Sequence, residues 1–212
     1  MYNLLYKEFR LAIHPFYYVL PVLIGALMLI PQWIFFLVPL YFCFISAPQI
    51  FALYKSNNDL EFSIMMPVRK SDIVKARILS IIILELFQIA CSLLFALIHR
   101  SLYKIDNFAF DLNAAYFGLV FVMFALYNII LFPMFYKTAF QFGAAVIVST
   151  VAAIGFAFAA EMLVMFNERF RNVVEGKPGP QVIILAAGIV LFVLGAMLTY
   201  KISVKSFEKV DV

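Results

Sequence analysis

The sequence predicts an all-α polytopic membrane protein: six transmembrane helices, an N-terminal interfacial helix and a cytoplasmic helical segment between the second and third spans. Three observations predict it. Two thirds of the 212 residues are apolar and only 13% are charged, where a soluble domain carries about 25%. The charges cluster, so that the 39 residues Phe16 to Tyr54 hold no Asp, Glu, Lys or Arg. The apolar runs are each near the roughly 20 residues needed to cross a bilayer, which leaves no room for a separate soluble domain of ordinary size.

The elements follow in order, in one transmembrane domain over 1–212. Residues 1–15, MYNLLYKEFRLAIHP, place Asn3, Lys7, Arg10 and His14 in one stripe at helical spacing, with Tyr2, Leu5, Phe9, Ala12 and Ile13 opposite. A helix with a basic stripe and an apolar face lies in the interface instead of crossing it, and Pro15 ends it. The charge-free stretch is too long for one span at about 1.5 Å per residue. Pro31-Gln32-Trp33 divides it into spans at about 17–31, where Pro21 is a kink candidate, and 33–54. A charged segment covers 55–77. The third span is 78–98, followed by a polar loop 99–112. The fourth is 113–135, with a short turn at Tyr136-Lys137-Thr138. The fifth is 140–165, and a Gly/Pro-containing loop 167–180 leads to the sixth at 181–200. The remainder, from Lys201, is a tail.

Six spans put both termini on one side. With the termini inside, inner segments carry eleven Lys and Arg and outer loops five, which favours cytoplasmic termini and a multi-pass protein of the plasma membrane. The net charge of +4 therefore calls for no nucleic-acid partner. Cys43 and Cys91 lie inside apolar runs and read as small packing residues. The first apolar run is longer than the leader of a signal peptide and lacks a small-residue cleavage site, so it reads as retained. His14 and His99 lie far apart, and no metal-ligand spacing exists. None of the eight glycines begins a phosphate-binding GxxxxGK[ST] loop. No Ser/His/Asp set, HExxH or GxSxG is present, so nothing supports an enzyme.

The segment Asp59 to Arg77 carries seven charged residues. Ser56-Asn57-Asn58-Asp59 offers helix N-caps, and a short helix carrying Leu60, Phe62, Ile64 and Met65 runs until Pro67 stops it. Ser71 is a second N-cap candidate, with Asp72 in the first turn where the helix dipole favours an acid. That second helix continues through Ile73, Val74 and Ile78 into the third span. Two readings stay open: an amphipathic loop resting on headgroups, or a docking element whose Phe62, Ile64, Met65 and Met66 fill a groove on a cytosolic partner.

The stretch Pro67, Val68, Arg69, Lys70, Ile73, Val74 and Arg77, opening a third span after an amphipathic N-terminal helix and two spans, resembles the membrane subunit of type-2 ABC transporters. The similarity is to their small six-span permease branch, which includes exporters of amphipathic peptides such as the phenol-soluble modulin exporter. The tail from Ser203 to Asp211 is similar as well. The resemblance implies an elbow helix at 1–15 and a coupling helix at about 57–66 that sits in a cleft of a separate ATPase. The implied docking residues are Asp59, Leu60, Glu61, Phe62, Ile64, Met65, Met66, Arg69 and Lys70. It further implies two ATPase subunits, which bind ATP and Mg while this chain binds no cofactor, and a second permease chain, identical or related.

Ionisable groups inside spans carry a functional hypothesis by default. Glu85 shares a helix face with Gln88 and Ser92. Equal depth on other spans gives Asn128, Ser46 and Ser149, so these groups form a candidate polar layer in the inner half of the membrane. Interhelical hydrogen bonding, with Glu85 protonated or paired to Asn128, and a polar lining of a substrate path both remain open. Glu161 sits near the outer end of the fifth span, facing the polar loop. Apolar, aromatic spans and short loops suit an amphipathic or hydrophobic cargo, a peptide first. The alternative function is a non-transporting interaction protein, a peptide-immunity or sensor subunit.

Overall fold

The computed structural model describes residues 2–65, 67–103, 110–138 and 141–210. Among these it is helical, without strands. Helix α1 covers Tyr2–Lys7 and continues as a wider turn, Glu8–Ala12. Then come α2 (Phe16–Leu29), α3 (Leu37–Ser56), α4 (Asp59–Met65), α5 (Lys70–Leu102), α6 (Ala114–Lys137), α7 (Phe142–Phe166) and α8 (Pro178–Glu208). Five of these, α3 and α5 to α8, are long and apolar enough to cross a membrane. Helix α2 is shorter, about 21 Å at 1.5 Å per residue.

The boundaries shift for local reasons. The second span begins at Leu37: the chain turns at Pro31-Gln32, where Gln32 takes φ 58°, and Trp33 to Phe36 lead into the helix without belonging to it. Ser71 is not the cap of α5: Arg69 holds the extended N-cap position, and its carbonyl accepts from Asp72 and Ile73. Helix α5 starts well before the apolar run and absorbs His99 to Leu102, which the sequence assigns to a loop. The tail is helical through Glu208, so α8 outlasts the apolar stretch by about 12 Å. Between α3 and α4 the chain turns at Asn58, whose φ of 46° is a left-handed conformation that asparagine tolerates better than most residues.

Contacts fix the direction of each helix. At one end of the bundle Tyr17 of α2 donates to Gln49 of α3 at 2.9 Å, Lys55 sits 6.0 Å over the Phe142 ring of α7, and Lys70 of α5 donates to the Val210 carbonyl beyond α8 at 3.0 Å. At the other end Tyr116 of α6 donates to the Phe35 carbonyl at 2.9 Å, the Phe35 ring packs on His99, and Asn113 donates to the Val174 carbonyl at 3.1 Å. The apolar helices therefore alternate in direction, and α2 with the turn after it runs from the first end to the second.

Helix α6 is central. Its Tyr116, Met123, Phe124, Tyr127, Leu131, Phe132 and Tyr136 are wholly buried. Against α3 it packs edge-to-face rings, Phe124 on Phe42 at 5.7 Å and Phe135 on Phe51 at 4.8 Å, an arrangement the ring quadrupoles favour. Against α8 it uses small residues. A Cβ at Gly188 would stand 2.2 Å from the Gly118 carbonyl oxygen, and one at Gly195 would stand 3.1 Å from Ala125 Cβ. The two pairs are seven residues apart on both helices, so they fall on one stripe of each. Cys43 and Cys91 are buried free thiols, and Cys91 lies against Gly25 of α2.

Candidate functional site

Where α1, α3, α4, α5 and α6 meet at the first end of the bundle, four charges are buried together. Lys7 Nζ donates to Asp59 Oδ1 at 2.8 Å and to Ser63 Oγ at 2.7 Å. It also lies 3.3 Å from Glu8 Oε1. Arg77 of α5 pairs with Asp59 through Nη2 and lies 3.6 Å from Glu8. Ser63 in turn donates to the Asp59 carbonyl at 2.6 Å. The Arg77 guanidinium is 3.9 Å over the Tyr54 ring, and Tyr136 stands beside it. Side-chain exposure is 9% or less for all four charged residues.

Two positive and two negative charges balance at this node. Burying an ion costs several kcal/mol unless it is paired and hydrogen-bonded, so the node fixes α4 at one position relative to α5 and the N-terminal segment. The sequence does not foresee this. Lys7 is placed in an exposed basic stripe, and the structure corrects that: Asn3, Arg10 and His14 are exposed, whereas Lys7 is 7% exposed because Asp59 and Arg77 come to meet it. Tyr2, on the predicted apolar face, is 80% exposed and open to the membrane interface expected there. Glu8, Ser63 and Arg77 are missed as site residues. The available signals were Ser63 one turn after Asp59, and Glu8 next to Lys7 as the one acid of residues 1–15.

The predicted docking residues divide. Asp59 belongs to the node. Phe62 and Met65 are 55% and 83% exposed on another side of α4. Arg69 is exposed. Lys70 is engaged, bonded to Val210 and 5.2 Å over the Phe207 ring, which itself lies 5.2 Å from the Tyr136 ring. The end of α8 is thereby tied to the wall of the node. Met66 lies outside the described residues, as do the side chains of Leu60, Glu61 and Ile64.

Deeper in the bundle, Asn128 Nδ2 donates to both Glu85 oxygens, at 3.0 and 2.8 Å, with both side chains buried. Gln88 instead donates to Ser92 at 3.3 Å. Ser149 is buried and donates to the Val146 carbonyl. Ser46 is buried within a wider helical turn of α3, Phe42–Ser46. Such turns are frequent at functional positions. Of the predicted layer, Glu85 and Asn128 bond across two helices, while Gln88 bonds along its own helix. Glu161 is buried beside Glu175 of the loop.

The model of the family described as ABC-2 family transporter protein matches residues 3–208. The chain belongs to this family. No curated protein matches, and no solved structure matches. This ABC-2 permease is thus a multi-pass transmembrane protein of an ABC transporter, and the family's role is transport, not catalysis. The node joins three parts of the permease that are distant in sequence, and the Glu85–Asn128 pair joins α5 to α6 beneath it. Glu85→Ala is expected to strip Asn128 of its acceptor and lower stability by about 1 kcal/mol, read as a lower melting midpoint in detergent. Glu85→Gln keeps an acceptor and is expected to retain most of the wild-type midpoint.

Proposed function

We propose that this chain is the membrane subunit of an ABC exporter, driven by a separate ATPase that docks on the 57–77 region. Six spans, with α2 as the first, form half of a translocation path. A second permease chain, identical or related, supplies the other half, and two ATPase subunits hold ATP and Mg. The termini, α4 and the charge node face the cytoplasm, in keeping with eleven Lys and Arg on that side against five on the other. Residues 1–15 act as an elbow helix. The cargo is an amphipathic or hydrophobic peptide, which apolar, aromatic helices suit.

The observation that carries this reading is the division of α4. One side is locked by Asp59 and Ser63 to Lys7 and Arg77. Another side offers Phe62 and Met65 to solvent, two large apolar side chains one turn apart, of the kind that fill a partner's groove. A push on Phe62 and Met65 passes through the node to the base of α5, because separating the charges is costly. Nucleotide binding on the partner then shifts the equilibrium between membrane conformations.

The test is to tag the C-terminus, extract the protein from its native membrane in mild detergent and identify what co-purifies. An equimolar ATP-binding subunit is expected with the wild type. With Phe62→Asp/Met65→Asp it is expected to be lost while the permease keeps its melting midpoint, since neither side chain packs in the core. A chain that emerges alone, in an extraction shown to preserve other such complexes, overturns the docking assignment and leaves the non-transporting interaction protein.

A further inference from the structure

The C-terminal ends of α6 and α8 form a cleft of about 670 Å³. Lys137 enters it from α6, and Lys201, Lys205 and Lys209 enter from α8. Pro133 and Ile202 are among its apolar lining. All four lysines are exposed, and among the described residues none makes an ion pair. No Asp or Glu lines the cleft. Glu208 is the sole acid of α8, and it lies outside the lining.

The level of the cleft decides what fits it. Ala114 to Tyr136 and Pro178 to Tyr200 carry no charge, so Lys137 and Lys201 are the first charges at which the two helices leave the hydrocarbon. Lys205 and Lys209 follow one and two turns farther out, about 6 and 12 Å. One turn below Ile202 on the same stripe of α8, Leu198 is half exposed and apolar. An occupant there meets an apolar wall at its lower end and mobile ammonium groups at its upper end.

From this geometry we infer that the cleft is a binding site for an anionic phospholipid, its phosphate held among Lys137, Lys201, Lys205 and Lys209 and its acyl chains along α8. Scattered lysines satisfying the positive-inside rule need not converge from two helices onto one cleft, and these do. Flexible ammonium groups suit a phosphate as point charges. The assignment stands on the cleft alone. With the termini cytoplasmic, as proposed above, the lipid belongs to the inner leaflet.

The experiment uses the full chain, delipidated in neutral detergent and titrated with phosphatidylglycerol or phosphatidylcholine of identical acyl chains, with bound lipid counted by native mass spectrometry. The wild type is expected to prefer the anionic lipid by at least about tenfold, a preference that shrinks as salt rises. Lys201→Gln/Lys205→Gln/Lys209→Gln is expected to lose it, and the corresponding triple Arg variant, which keeps the charge, to retain it. Arg10→Gln/Lys55→Gln/Lys75→Gln, which removes equal charge elsewhere on the same end, is expected to leave it in place. Absence of a wild-type preference, or equal loss in both Gln triples, overturns the site. Competition by inorganic phosphate as strong as that of the lipid also overturns it, in favour of a free-anion site. No ATPase and no leaflet asymmetry enter the measurement, so its failure and that of the transporter reading are separable.

Discussion

Asp59→Leu is expected to destabilise the protein by about 3–5 kcal/mol, the cost of removing one partner from a buried ion pair. Lys7 and Arg77 both point at this carboxylate, and its loss leaves two buried cations against Glu8 alone. Arg77 is wholly buried and cannot turn to water, and its nearest remaining acid is 3.6 Å away. The melting midpoint of the purified permease should fall sharply. The informative companion is Lys7→Met/Asp59→Leu. It deletes one charge of each sign and leaves Arg77 with Glu8, a neutral pair, so the midpoint is expected to recover by more than half. Replacing both members of a buried pair with apolar groups is often close to neutral. A double variant as unstable as the sum of its singles means that the four charges do not act as one balanced network.

Gly188→Val is expected to cost about 1–3 kcal/mol or more, the usual range for overpacking, and to fall at the high end of it. The obstacle is backbone: a Cβ at position 188 would approach the Gly118 carbonyl oxygen to 2.2 Å, and one at position 118 would approach the Ile184 carbonyl oxygen to 2.6 Å. A side chain can rotate away, but two helix backbones relieve such contacts only by moving apart. Separation opens the stripe down to Gly195 and Ala125 and loosens the Phe121–Phe192 ring contact, 5.4 Å between centroids. Lower folded yield and a lower midpoint are the readouts. Gly155, with open space around its Cβ position, is the control, and Gly155→Ala is expected to leave both unchanged. A Gly188→Val protein as stable as the wild type would show that α6 and α8 do not pack this closely.

Composition and the spacing of charges were enough to read the helical membrane class, because the bilayer demands long apolar segments and each charge breaks one. The charged stretch after Tyr54 was likewise legible as a helix, a proline break and a second helix, since Asn58, Pro67 and Asp72 act locally. Helix ends were less so. Trp33 to Phe36 fell outside the second span and Lys201 to Glu208 joined a helix, where contacts with Tyr116 and Lys70 that no local pattern records hold the chain.

In the candidate site the pairing of Glu85 with Asn128 was an open alternative in the sequence, reached by counting equal depths along two spans. The burial of Lys7 was not, because spacing on a helix says which residues share a stripe and nothing of what approaches it. Asp59 is 52 residues from Lys7 and Arg77 is 18 residues from Asp59. By itself the sequence determined that this chain is a multi-helix membrane protein, since the cost of placing charge in hydrocarbon is written residue by residue, and the stretch Pro67 to Arg77 carried its resemblance to ABC-2 permeases. Only the tertiary structure decided which charges are buried together and which apolar side of α4 is left open, because charge pairing and close packing depend on distances between segments that the order of residues does not contain.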